Sequence, residues 1–171
     1  MLIVMAGLPG TGKSTLATRL ALALGGVVLS KDVVRAAMFP ANTTDFTAEQ
    51  DDVAMNAVYA AAAYLLTANP ARPVLIDGRT YCKPGQIDVP LTLAGWLELP
   101  VRVVECACAD EVARARIAAD AGTHLAENRT PELHARAKAA AVALEVPRLT
   151  LDTGAHAPDV CAARALDYLR Q

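Results

Sequence analysis

Lysine is scarce in this sequence. Lys13, Lys31, Lys83 and Lys138 are all of it in 171 residues, and the formal net charge is −2. Such a chain has no basic stripe along which a long nucleic acid could lie, although a short nucleic-acid end in a pocket stays compatible with it. Long hydrophobic runs are missing too. Hydrophobic residues make up 54% of the chain, but alanine supplies many of them, and no apolar stretch reaches the ~18 residues of a membrane-spanning candidate. Met1 leads directly into the first apolar run with no charged segment before it, so no signal peptide is expected and the expected location is cytoplasmic. Cys82, Cys106, Cys108 and Cys161 contain no C-x-x-C pair, which leaves free, buried or partly buried thiols rather than a zinc or redox site. No internal repeat, Ser-His-Asp set or metalloprotease pattern occurs. His124, His134 and His156 have no evident partner in sequence, and ordinary surface histidines are expected.

What is present is organised around Gly7-Leu8-Pro9-Gly10-Thr11-Gly12-Lys13-Ser14, which reads G-x-x-x-x-G-K-[ST]. Leu2 to Ala6 before it suits a buried parallel strand. Ser14 to Leu24 after it has Leu16, Leu20 and Leu24 on one helical face. Strand, glycine loop and helix follow without a gap, the context this phosphate-binding P-loop requires. Gly7, Gly10 and Gly12 let the backbone turn its N–H groups inward as an anion nest, and the helix starting near Lys13 adds its positive end. Lys13 is expected to reach the β- and γ-phosphates of a nucleotide, and the Ser14 hydroxyl to ligate Mg²⁺.

The rest alternates between strand and helix. Gly25-Gly26 stops the first helix, and Val27 to Leu29 reads as a second strand. Ser30 to Arg35 leaves it and enters a short helix closed by Pro40. Thr47 and Gln50 fit a capping box opening a helix to about Thr67, with Val53, Ala57, Ala60 and Tyr64 expected on its apolar face. Val74 to Ile76 is a third strand, ending on Asp77-Gly78. A polar loop region spans 79–90, and a helix is expected over about 89–98. Val101 to Cys106 is a fourth strand, a helix is expected from about Asp110 to Ala121, and 122–129 is loop-like. Thr130-Pro131 opens another helix as N-cap and N1 proline. Residues 148–152 read as a fifth strand, and a last helix starts at Pro158 with Val160, Ala163, Leu166 and Leu169 on one face. Strands alternating with helices imply a parallel sheet covered on both faces. Ligands of such sheets bind at the carboxyl ends of the strands. The P-loop, Asp32, Asp77 and Asp152 all follow strand ends and are expected on one rim.

The P-loop, the D-x-x-R of Asp32 to Arg35 after the second strand, and an acid closing the third together resemble the small P-loop kinases: polynucleotide 5′-hydroxyl kinase, chloramphenicol phosphotransferase, gluconate kinase, adenylylsulfate kinase and the AAA_33 type. The resemblance covers nearly the whole chain as architecture, and chiefly residues 7–15 and 30–35 as specific motif. It implies one α/β P-loop kinase domain over 1–171: a three-layer fold with a five-stranded parallel sheet in the order 2-3-1-4-5 and a lid over about 114–130.

It also implies roles. Asp32 would be the general base that takes the proton of an attacking hydroxyl; a plain helix cap is the alternative for the same residue. Arg35 would contact the acceptor or the transferred phosphate, where a surface ion pair is the alternative. Asp77 resembles a Walker-B acid that holds Mg²⁺ through water or orients the acceptor, while Asp-Gly is also a turn dipeptide. Arg79 and Lys83 could touch an acceptor or be solvated loop charges. The nucleotide would be held by Gly7, Leu8, Pro9, Gly10, Thr11, Gly12, Lys13, Ser14 and Thr15 with lid arginines. Among these Arg116 matches best and Arg114 less well. Asp120 stands where relatives often carry a second lid arginine, and Arg129 is its natural substitute.

The function implied is ATP-dependent: transfer of the γ-phosphoryl of Mg-ATP to a hydroxyl of a small molecule, by a monomer or homodimer. Two alternatives stand beside it. One is a 5′-hydroxyl kinase acting on nucleic-acid ends. The other is a regulator that binds or hydrolyses ATP and transfers nothing.

Overall fold

A computed structural model of the protein describes residues 1–120 and 128–171. Its centre is the first apolar run. Strand β1, Leu2–Ala6, is buried at every residue, as a strand must be when both faces of a parallel sheet are covered. Four more strands follow: β2 (Val27–Ser30), β3 (Val74–Asp77), β4 (Val101–Ala107) and β5 (Leu149–Asp152). The sheet order is β2-β3-β1-β4-β5 and each pairing is parallel. This is the expected order, and it puts every strand's carboxyl end on the same edge.

Among the described residues seven α-helices complete the layers: α1 (Lys13–Leu24), α2 (Lys31–Met38), α3 (Ala48–Ala68), α4 (Asp88–Trp96), α5 (Asp110–Ala119), α6 (Pro131–Ala139) and α7 (Pro158–Leu169). Side chains of β1 alternate between the faces. Ile3 and Met5 pack with Leu16, Leu20, Cys161 and Leu169 of α1 and α7. Leu2 packs on the other face with Met55, Val58, Leu66 and Ala94 of α3 and α4. Val4 and Ala6 join Tyr81, Val103 and Leu144 in a third cluster near the strand ends.

Two helices turn a different face to the core than their sequences suggest. In α3 the buried residues are Gln50, Ala54, Met55, Val58, Tyr59, Ala62 and Leu66. Val53 and Tyr64 are 47% and 75% exposed. Alanine along this helix makes several 3.6-residue stripes look alike. The stripe that carries Met55, Val58 and Leu66 buries more apolar surface and wins. In α7 the buried set is Cys161, Ala165 and Leu169, and Val160 is exposed. Here the spacing of four with small residues lets the helix approach α1.

The capping box of α3 forms by half. The Thr47 hydroxyl accepts from Gln50 N, but the Gln50 side chain reaches back past it, donating to Thr43 O and accepting from Asp45 N. The amide of Thr47 is satisfied by Asp45 instead. Gln50 thereby ties down the loop that delivers Phe46. Thr130 caps α6 as expected, accepting from Leu133 N. The cysteines are free thiols, two buried and two half-buried. No helix among the described residues is long and apolar enough to cross a membrane. Of the lid expected over 114–130, α5 ends at Ala119, and residues 121–127, His124 among them, lie outside the described residues.

Candidate active site

The P-loop leaves β1 with backbone that only glycine tolerates. Gly7, Gly10 and Gly12 have φ of 127°, 84° and 84°. A Cβ on Gly7 would stand 2.2 Å from Cys106 O, and one on Gly10 would stand 2.6 Å from Ala113 O. The loop is therefore wedged against β4 and α5 as well as curled. Inside the curl the Leu8 carbonyl accepts from the Lys13 ammonium and the Thr11 hydroxyl, both at 2.8 Å. Ser14 and Thr15 are exposed at the start of α1. Burial pushes the Lys13 ammonium below the ordinary lysine range. The carboxylates of Asp77 and Asp32 pull it back up, and Arg129 opposes them. Cys106 itself is pushed up to about 12 by burial, so it stays a thiol.

Two groups brace the loop from outside. Thr153, just past β5, donates its hydroxyl to Thr11 O at 2.8 Å. Arg116 of α5 donates to both oxygens of Thr153, to Oγ1 at 3.0 Å and to O at 2.7 Å. His134 of α6 is the second brace. It is 1% exposed, with Nδ1 2.7 Å from Pro9 O and Nε2 3.2 Å from Asp110 Oδ1. Lys138 donates to the other Asp110 oxygen at 2.6 Å, and Lys138 then His134 hold the Asp110 carboxyl below the usual range. His134 is thus a buried structural link and not the surface histidine expected. His156 is exposed.

A cleft of about 1150 Å³ runs from the P-loop across the strand ends. One wall is the loop with Lys13, Ser14 and Thr15. Facing it are Asp32 and Arg35 of α2, Phe46, and Asp51, Met55 and Tyr59 of α3. The loop after β3 contributes Arg79 and Lys83, and Arg129 and Arg136 close the third side. On the other flank of the P-loop a recess of about 300 Å³ is bounded by Arg116, Arg129, Thr153, His156 and Pro158.

The structure thus brings Asp32 and Lys13 to one cleft. Asp32 lies within α2, whose N-cap is Ser30 with no side-chain cap bond. The carboxylate is turned to Arg35, whose Nη2 donates to Asp32 Oδ1 at 2.8 Å. The other arm of Arg35 goes to Asp51 Oδ1, and its plane lies 4.6 Å over the Phe46 ring. Arg35 is 3% exposed, so it is a packed ion pair and not a surface one. Lys31 donates to Asp51 Oδ2 at 2.9 Å and lies 3.7 Å from Asp32 Oδ1. Asp77 is 2% exposed, and its Oδ1 has no hydrogen-bond partner among the described residues. A buried, orphaned carboxylate oxygen is costly unless something else meets it; Asp77 acts on the Lys13 ammonium electrostatically, and a carboxylate of this kind together with the P-loop Ser14 hydroxyl suits a hard cation held partly through water. Arg79 pairs with Asp52.

Other expected residues lie elsewhere. Arg114 is exposed and lines neither recess. Asp152 closes its own turn, accepting from Gly154 N and Ala155 N, and those bonds lower its carboxyl. Trp96 is 82% exposed on α4, and Tyr81 is buried with its hydroxyl 3.3 Å from that of Tyr59. Lys31, Asp51, Asp52, His134 and Thr153 were missed in the sequence. Of these only Asp51 left a trace there: it shares the i, i+4 stripe of Met55.

The AAA_33 family model, described as AAA domain, matches residues 2–144. No curated protein matches the sequence. Solved structures match as folds. A candidate kinase of Chloroflexus aurantiacus superposes with a TM-score of 0.76 at 20% identity, covering 97% of this chain and 96% of that one. An APS kinase of Mycobacterium tuberculosis in complex with AMPPNP and APS gives 0.73 at 16%, with 99% and 97% covered. A gluconokinase of Sinorhizobium meliloti 1021 gives 0.65 at 18%, with 98% and 90% covered.

Proposed function

This chain belongs to the AAA_33 family and has the fold of the P-loop kinases, and from that premise we propose that it is an ATP-dependent phosphotransferase acting on a hydroxyl of a small molecule. The observation that carries the reading is the position of Asp32. It lines the same cleft as Lys13 and Ser14, and that cleft continues well beyond the phosphate cradle to Phe46, Met55, Tyr59 and Lys83. A protein that only bound or hydrolysed nucleotide would need neither a second compartment nor a carboxylate in it.

In this reading the backbone amides of Gly10 to Thr15 and the Lys13 ammonium hold the β- and γ-phosphates. The base end of the nucleotide takes the smaller recess by Arg116, Thr153 and Pro158, continuous with Gly12 and Thr15. Ser14 and Asp77 are the residues that would hold Mg²⁺; when bound, the ion neutralises charge on the phosphates. Asp32 accepts the acceptor's hydroxyl proton as the oxygen attacks. Arg129, which borders both recesses, supplies positive charge to the transferring group. Arg35 orients Asp32 and meets the acceptor only at its edge, since both its arms are occupied. Arg79, fixed by Asp52, and Lys83 face the acceptor compartment.

A chain with net charge −2 and four lysines suits a small molecule better than a nucleic-acid end. The deciding experiment is transfer from γ-labelled ATP across alcohols, sugars, nucleosides and short 5′-hydroxyl oligonucleotides. Label on a small alcohol supports the reading. Label on oligonucleotides alone would make the chain an end kinase, and hydrolysis with no labelled acceptor would make it a nucleotide-dependent regulator.

A further inference from the structure

The carboxylate that the proposed reaction needs is surrounded by cations. Lys31 and Arg35 flank Asp32 in sequence and in space, and either could occupy it fully. An arginine fork pairs readily with both oxygens of one carboxylate. A base closed in that way could not also accept from a substrate hydroxyl. The structure shows a different division. Both contacts to Asp32 use Oδ1, from Arg35 Nη2 at 2.8 Å and from Lys31 Nζ at 3.7 Å. Among the described residues Oδ2 receives no hydrogen bond, and Asp32 lines the cleft.

Asp51 makes that division. It stands in the first turn and a half of α3 and takes the second arm of Arg35 on Oδ1 and the Lys31 ammonium on Oδ2. Phe46 covers the face of the guanidinium and packs it against the pair. The helix is held on its other side by Asp52, paired with Arg79 of the loop after β3. The start of α3 is therefore fixed to both walls of the acceptor compartment. Asp51 faces the cations from there.

We infer that Asp51 is a positioning residue: by taking one arm of Arg35 and the whole of Lys31, it leaves one oxygen of Asp32 open to the acceptor hydroxyl. The inference rests on the kinase reading above. Without the Asp51 charge, Asp32 is the carboxylate that Lys31 and the buried Arg35 still contact among the described residues. A buried cation takes whatever carboxylate remains, so both would close on Asp32.

The test compares wild type, Asp51→Asn and Asp51→Glu. The first readout does not depend on transfer: coupling of an amine to Asp32 by a water-soluble carbodiimide, read by mass spectrometry of the Asp32 peptide. Asp32 labelling should fall in Asp51→Asn and return in Asp51→Glu. The second readout is steady-state transfer. The Asn variant should lose about 10- to 100-fold in kcat, a part of the ~10²–10⁴-fold that a positioned base contributes, with KM for ATP unchanged, and the Glu variant should recover most of it. A merely structural role would lower folded protein and move both parameters together, and the glutamate would restore neither. Unchanged labelling of Asp32 in a folded Asp51→Asn variant overturns the inference, as does unchanged kcat. Loss of labelling in an enzyme whose wild type phosphorylates nothing would instead uphold the arrangement of charges and remove the kinase reading.

Discussion

His134 Nδ1 lies 2.7 Å from the carbonyl oxygen of Pro9, so a side chain 125 residues downstream closes on the middle of the P-loop. Pro9 O and the Asp110 carboxylate on the other ring nitrogen are both acceptors. The link joins α6, which lines the cleft through Leu133 and Arg136, to the loop expected to hold phosphate.

His134→Ala should therefore cost about 1–3 kcal/mol of stability, the penalty for leaving buried polar groups unmet, and should also weaken nucleotide binding. Thermal melting with and without Mg-AMPPNP checks both effects. A stability loss with unchanged nucleotide affinity would confine His134 to folding.

Asp32→Asn separates a phosphotransferase from a nucleotide-binding regulator. Asparagine keeps the shape and removes the charge and basicity. The variant should fold and bind Mg-ATP as the wild type does, yet lose ~10²–10⁴-fold in transfer. Nucleotide affinity and acceptor phosphorylation measured on one preparation decide it, and full transfer by the variant would end the general-base role.

The two arginines beside the P-loop should behave differently. Arg116 is already bound to Thr153 through two hydrogen bonds, whereas Arg129 is held by Asp120 at 3.0 Å and borders both recesses. Arg129→Ala should lower kcat, by about 10²-fold if it meets charge that develops in transfer. Arg116→Ala should mainly raise KM for ATP, because it loosens the loop and the smaller recess. Steady-state kinetics on the two variants tests this, and the reverse pattern would exchange their roles.

Lys13 gives a proton-linkage prediction. Burial holds its ammonium below the ordinary lysine range in the free protein. Phosphate oxygens beside it would favour the charged form and raise it again. Binding should then take up a proton at alkaline pH, and affinity should fall as pH rises through the range of the free lysine. Calorimetry in buffers of different ionisation enthalpy measures the uptake, and Lys13→Met should abolish it along with most of the affinity. A pH-independent affinity with no proton uptake would count against Lys13 as the phosphate contact.

Much of the fold was legible because its signals are local. The apolar run at Leu2–Ala6, the glycines at Gly7, Gly10 and Gly12 and the leucine spacing of α1 each act within a few residues, and together they specify strand, nest and helix. Thr47 and Thr130 marked helix starts by hydrogen bonds to amides three residues on. The inward faces of α3 and α7 were not legible. Alanine adds little to any one stripe, so neighbouring elements choose among nearly equal faces.

The same division runs through the site. Sequence alone determined that a phosphate cradle follows β1 and that an acid and an arginine three residues apart share a helical face, because spacing sets both. Tertiary structure decided what those residues face. Parallel pairing of β2 with β3 brings Ser30 level with Asp77, and the packing of α3 against α2 delivers Asp51 to Lys31 and Arg35. Ion pairs across 16 and 20 residues, and the 125-residue link from His134 to Pro9, have no periodicity to announce them. They exist only once burial has brought the elements together, where a low-dielectric setting makes each charge find the partner left within reach.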